Sequence, residues 1–273
     1  MSNFKKKSTR MTLVILVLLT IILMPMSASK VMAGSYNKGA WGDNGDGTYN
    51  NPILPGDYSD PDVIRVGDDY FLITSTFQFV PGITVLHSVD MVNWETLGGA
   101  IKDLTLISDK YNYDKMERYG RIVWAPCITF NPQDEKFYIH FGDPDEGLYV
   151  VTATKDGIWN NEWSDVKPVT RANGDSFGFG WNDCGVLWDD DGQGYLIANN
   201  FGGGYGNYLF KMSSDGTRVL DNGVRIHSSN DGLLVGRGEG NPEAYKIFKK
   251  DGYYYFLHNA VVNGPRELFF MRS

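Results

Sequence analysis

Four segments of this chain are written to one plan, and that plan leaves few folds open. They read SDPDVIRVGDDYFLIT, WAPCITFNPQDEKFYIHF, NDCGVLWDDDGQGYLIAN and EGNPEAYKIFKKDGYYYFLHN. Each starts at a polar or aromatic pivot, runs through a short apolar strand pattern, breaks at a charged turn and resumes in a strand rich in Tyr or Phe. The pivots Asp60, Trp124, Asp183 and Glu239 stand 64, 59 and 56 residues apart. A period near 60 with about four strands per unit marks a β-propeller, in which the first strand of each blade lines a central channel. A β-sandwich would account for the strands but not for their recurrence.

The stretches between the pivots agree. Apolar runs at 83–87, 122–130, 137–141, 148–153, 194–198, 208–212, 253–258 and 268–271 are separated by Gly, Asp and Asn turns. None carries a long helical period, so the chain reads as all-β. The segment 189–192 starts like a calcium loop, but Asn200 stands where such a loop ends in Glu, so a hairpin turn is expected. The Asp and Gly cluster at 43–47 reads as turn chemistry on the same ground. Trp94 and Trp188 are expected to pack between blades.

Residues 1–33 have the form of a secretory signal: Lys5, Lys6, Lys7 and Arg10, an apolar run at 11–26, and small residues ending at Ala33. Export with cleavage after Ala33 is expected, and a retained membrane anchor is the alternative. Residues 34–50 read as a linker or arm, and 51–273 as the propeller domain. The leader holds five of the 25 basic side chains and none of the 33 acidic ones, which leaves 20 against 33, or −13. Such a surface repels phosphate backbones, so nucleic acid is excluded as a partner and a neutral sugar fits better. Cys127 and Cys184 are the two cysteines and are expected to be unpaired.

Three pivots are carboxylates. Brought to one axial pocket, Asp60, Asp183 and Glu239 suit glycoside hydrolysis, in which one group stays ionised as base and another is held protonated as acid. A third nearby charge raises the acid's pKa. Trp124 and Phe77 are the aromatic candidates for substrate contact. Each pivot also has a plainer reading: Asp60 as a turn cap before Pro61, Asp183 as an Asx turn, Glu239 as a loop acid, and Trp124 as packing between blades. No Ser/His pair, zinc motif or phosphate loop is present, so no cofactor is expected.

The stretch NPILPGDYSDPDVIRVGDDYFLITST, followed in order by HSVDMVNWETLG, WAPCITFNPQDEKFYIHFGDPDEGLYVVTA and EGNPEAYKIFKKDGYYYFLHN, resembles glycoside hydrolase family 43 over residues 51–273. The resemblance implies a five-bladed propeller with about four blades in this chain and the C-terminal blade missing. It also implies inverting hydrolysis of xylose- or arabinose-containing cell-wall glycans, of β-xylosidase or α-L-arabinofuranosidase type. Carried over by motif, Asp60 is the general base, Asp183 the orienting partner and Glu239 the general acid. An inverting pair stands roughly 6.5–9.5 Å apart. An axial calcium is compatible with the family, although no residue set locates one. The chain departs from the pattern at Asn241, inserted before Pro242, and at Glu243, where the family often has His; Glu239 is preferred to Glu243 because Glu239-Gly240 keeps the motif's order. A carbohydrate-binding propeller without turnover, or an inactive fragment, is the alternative.

Overall fold

The computed structural model describes residues 41–115, 117, 119–203, 206–228, 239–262 and 265–273, with side chains described except at 227–228, 239–241 and 262. The expected leader at 1–33 and the first part of the arm lie outside them. The described chain is all-β, in four consecutive antiparallel sheets. The first holds β1 (Asp62–Val66), β2 (Asp69–Thr74), β3 (Gly82–Ser88) and β4 (Glu95–Ile101). The second holds β5 (Trp124–Asn131), β6 (Lys136–Asp143), β7 (Gly147–Thr154) and the short β8 (Lys167–Pro168). β9 (Trp181–Trp188), β10 (Gly194–Asn200), β11 (Gly206–Met212) and β12 (Val224–Ser228) make the third. The fourth has three strands, β13 (Glu239–Lys250), β14 (Tyr253–Val262) and β15 (Arg266–Arg272). Strands within each sheet pair in chain order, and β1, β5, β9 and β13 pack in succession, as propeller blades do.

Alternation along the strands explains why blades stack. On β6, Phe137, Ile139 and Phe141 enter a core shared with Phe71, Ile73 and Val85 of the first blade. Tyr138, on the opposite face of the same strand, enters a core with Val186, Leu196 and Phe210 of the third. A strand buried on both faces needs a nearly continuous apolar run, which FYIHF supplies apart from His140, whose Nε2 meets the Gly216 carbonyl at 2.9 Å. Trp188 packs as expected between blades, with its ring 4.9 Å from Tyr138 and its indole N–H donating to Thr129 Oγ1 at 3.2 Å. Trp94 instead donates to the nearby Met91 carbonyl at 3.2 Å. The 189–192 run is a hairpin turn closed by Gly192 N–H on the Asp189 carbonyl.

One backbone device recurs in every blade. In the second, third and fourth blades the pairing of the innermost strand slips by one residue beside a left-handed residue, Ala125 at φ +37°, Asp183 at +45° and Ala244 at +57°, and Asp60, two residues ahead of β1, is left-handed in the same way at +49°. The structure thereby corrects the repeat register read from the sequence. The equivalents of Asp60 and Asp183 are Ala125 and Ala244, one residue after Trp124 and five after Glu239. The twelve-residue β13 extends well upstream of its slip, so matching the acids rather than the backbone misaligned the fourth unit.

The fourth blade turns one face to the third, through Tyr245 and Phe256 packed on Ile197. Its other face carries Phe248, Tyr255 and Phe270 with rings 5.1 and 5.2 Å apart, and on β15 Leu268 and Phe270 are exposed at 71% and 58%. Four blades are therefore established, and the count of five is taken up below as a proposal.

Blades separated in sequence are tied near the axis. Asp62 Oδ2 accepts from Ile128 N–H of the second blade at 2.9 Å, and Asp62 Oδ1 meets Lys246 Nζ of the fourth at 2.8 Å. Asp62 is buried. Removing one partner of such a pair strands the other charge. Asp62→Ala is expected to destabilise the fold by about 3 kcal/mol, visible as a lower urea midpoint at unchanged slope.

Candidate active site

At the end of the innermost strands where the slips occur, the blades enclose a cavity of about 680 Å³. Asp60, Phe77, Trp124 and Asp183 all line it. Four of the five side chains singled out in the sequence thus meet in one place. The fifth, Glu239, is the first residue of β13 and pairs with Val262, but its side chain lies outside the described residues. The distance expected between Asp60 and Glu239 lies outside them as well. Glu243, four residues further along β13, does line the cavity, together with Lys246, Asn259 and Arg266.

The acids are held by the slips themselves. A left-handed conformation strains an L-residue, and Asp tolerates it better than most. It also turns an N–H away from its own sheet, and in two blades a side chain of the preceding blade accepts it. Ala125 N–H donates to Ser75 Oγ at 2.8 Å, and the Ser75 hydroxyl donates in turn to Asp60 Oδ2 at 2.6 Å. Ser59 donates to the same oxygen at 3.0 Å. Ala244 N–H donates to Asp183 Oδ2 at 3.0 Å. Each Asp therefore faces the cavity and also takes part, directly or through Ser75, in pinning the next blade.

Burial separates the two acids electrostatically. Asp60 is exposed, whereas Asp183 is only 8% exposed. Burial is the main cause pushing Asp183 up to about 6, and the charges of Glu243 and Asp60 push in the same direction. The Ala244 N–H and the Lys246 ammonium oppose it without cancelling it. Burial alone would pull Lys246 down, but the Asp62 carboxylate together with Cys127 and Cys184 outweighs it, and the ammonium sits above its ordinary range. Cys127 and Cys184 are unpaired and buried in the second core, where burial pushes the Cys127 thiol up to about 12, so neither is a nucleophile here.

The aromatic wall has its own supports. Phe77, left-handed at φ +53°, exchanges backbone hydrogen bonds with Val123. Trp124 donates its indole N–H to the Gly120 carbonyl at 3.0 Å, and the Arg121 guanidinium lies 5.5 Å from its ring centre. Arg121 is gripped by both oxygens of Asp145 at 2.9 and 3.0 Å. Asp145 stands on a turn organised by buried Asp143, which accepts the N–H groups of Asp145 and Glu146 and the Tyr111 hydroxyl. The sequence reading missed Ser75, Arg121, Asp145, Asn259, Lys246 and Arg266, and it set Glu243 aside in favour of Glu239. Only Glu243 and Lys246 fall inside a repeat segment's first strand, where the repeat gave a signal.

An exposed and a buried carboxylate beside an aromatic wall form a site that can bind a neutral ring and move protons at it. A sequence model of the family described as glycosyl hydrolases family 43 matches residues 49–262. A β-xylosidase of Formosa agariphila is 37% identical over 231 residues, which cover 80% of this chain and 35% of that protein. A non-reducing-end alpha-L-arabinofuranosidase of Bacteroides ovatus is 29% identical, over 77% of this chain and 35% of that one. Among solved structures, a GH43_12 protein from a capybara gut metagenome superposes with a TM-score of 0.66 at 26% identity, over 81% of this chain and 40% of that one. A xylan β-1,4-xylosidase of Bacillus halodurans gives 0.60 at 29%, over 82% and 41%. The chain thus spans about a third of the length of these curated relatives. With the family's sequence pattern matched from the first blade to the fourth, the chain belongs to glycosyl hydrolases family 43.

Proposed function

We propose that this chain is the pentoside-cleaving part of an exported glycoside hydrolase that acts on xylose- or arabinose-containing glycans of plant cell walls, with inversion. The observation that carries the reading is the pair of aspartates at equivalent left-handed positions of alternate blades, lining one cavity with Trp124 and Phe77. Asp60 is the general base. Two hydroxyls hold one of its oxygens, which leaves the other for the attacking water. Glu239, at the head of β13, is the general acid that protonates the leaving oxygen. Asp183 is its partner: an anion there above about pH 6 raises the pKa of a neighbouring acid. Trp124 and Phe77 offer flat apolar faces to the C–H side of the sugar ring.

Relatives named as β-xylosidases and as an arabinofuranosidase support both pentoses as substrate classes. The leader read at 1–33 supports export. A fifth blade in the complete protein is part of the proposal, supported by the apolar outer face of the fourth blade and by the short span of the chain on its relatives.

The test is turnover of nitrophenyl β-xyloside and nitrophenyl α-L-arabinofuranoside. Asp60→Asn is expected to lose about 10²–10⁴-fold in kcat/KM. Glu239→Gln should lose a similar factor on nitrophenyl substrates and much less on dinitrophenyl ones, whose leaving group needs no proton. Wild-type chain that binds xylobiose but hydrolyses neither pentoside would move the reading to a binding propeller without turnover.

Asp183 yields a second expectation. Its folded pKa is raised above the ordinary carboxylate value, so its contribution to stability is greatest below pH 4 and is lost as pH rises through about 6. Asp183→Asn removes that loss and keeps an acceptor for Ala244 N–H. The variant should gain on wild type between pH 4 and 8, by about 3 kcal/mol, as read from melting temperatures at each pH. A stability difference that does not change with pH would contradict the raised value.

A further inference from the structure

Glu243 and Arg266 lie on the fourth-blade side of the cavity, and nothing in the proposed chemistry uses them. Arg266 NH2 meets Glu243 Oε2 at 2.8 Å, and Arg266 NH1 donates to Asn259 Oδ1 at 2.5 Å. Glu243 stands opposite Asn259, and Arg266 opposite Val261, in the registers of β13, β14 and β15. Three neighbouring strands therefore each give one polar side chain to a single wall, and all three residues line the cavity that holds Asp60 and Asp183. A guanidinium has five N–H donors, of which these contacts with described residues engage two. The side chains of Arg266 and Glu243 are 45% and 35% exposed, so remaining donors and acceptors stay within reach of a ligand.

We propose that the Glu243–Arg266 pair, braced by Asn259, is the part of the cavity that recognises the hydroxyl pattern of the bound sugar and so decides between pentoses. A neutral pentose offers neighbouring hydroxyls that each donate and accept. A carboxylate beside a planar guanidinium matches such a pair, with the anion accepting one O–H and the fork donating to the other oxygen. The two charges cancel, so the wall recognises a neutral sugar without a counter-ion. The inference rests on the pentoside reading above. It assigns binding, and not proton transfer, to Glu243.

The experiment is steady-state kinetics of the full chain and of Glu243→Gln and Arg266→Lys, on nitrophenyl β-xyloside, nitrophenyl α-L-arabinofuranoside and their dinitrophenyl counterparts. Hydrogen bonds to charged groups are lost at a cost of roughly tenfold or more in affinity. Each variant is expected to raise KM by about that factor for the preferred pentoside and to change the xyloside-to-arabinofuranoside ratio of kcat/KM. The loss should be the same for both leaving groups. Arg266→Lys keeps the charge and loses the fork, so it tests geometry even where Glu243→Gln folds poorly. An unchanged ratio in both variants overturns the proposal. So does a Glu243→Gln deficit that disappears with dinitrophenyl substrates, because that pattern belongs to the general acid. Absence of turnover in wild type sinks the hydrolase reading alone. Calorimetric titration of xylose and of arabinose into wild type and Arg266→Lys then decides the wall, with equal affinities in both overturning it.

Discussion

The site depends on one hydrogen-bonding constraint, that of the N–H turned out of its sheet at the left-handed residues of β5 and β13. A buried N–H without a partner is costly, so something must accept it. At Ala125 the acceptor is Ser75 Oγ, and at Ala244 it is Asp183 Oδ2. Both acceptors belong to the preceding blade. The requirement that joins the blades therefore also fixes the polar groups around the cavity. Asp183 illustrates the balance: it is buried enough to resist ionisation, yet held by a donor that favours its anion.

This arrangement explains how a shallow all-β surface acquires directional chemistry. Apolar cores between blades give cohesion without fixing the rotation of any polar group. Rotation is fixed by the short contacts: two hydroxyls on Asp60, the Asp62 contacts to Ile128 and Lys246, and the succession Asp143, Asp145, Arg121 behind Trp124. The aromatic wall is thus braced by charges that do not themselves line the cavity.

Much of this could be read from the residues. Runs such as FYIHF announce strands buried on both faces, and the recurrence of SDPDVIRV-like segments announces blades, because composition and spacing report burial directly. Asp60, Asp183, Trp124 and Phe77 were legible as cavity residues for the same reason. The register of the fourth blade was not. Its left-handed residue is Ala244, and alanine carries no sequence signal for a positive φ, whereas the nearby Glu239 looks like a pivot. Arg266 was invisible on different grounds. It reaches the cavity from the third strand of a blade, and only strand pairing brings that position beside Glu243.

The recurring slip also bears on how such a scaffold changes over time. At four equivalent points the backbone is already bent to present one side chain to the axis, and in two of them that side chain is a methyl group. The conformational cost of each socket has been met whether or not a functional group occupies it. Exchanging alanine for aspartate at Ala125 or Ala244 would place a new acid on the cavity where the backbone is already bent to receive it, whereas the reverse exchange at Asp183 would also remove the acceptor of the Ala244 N–H. A fold with spare sockets of this kind can diversify its chemistry by point substitution, without remodelling a loop.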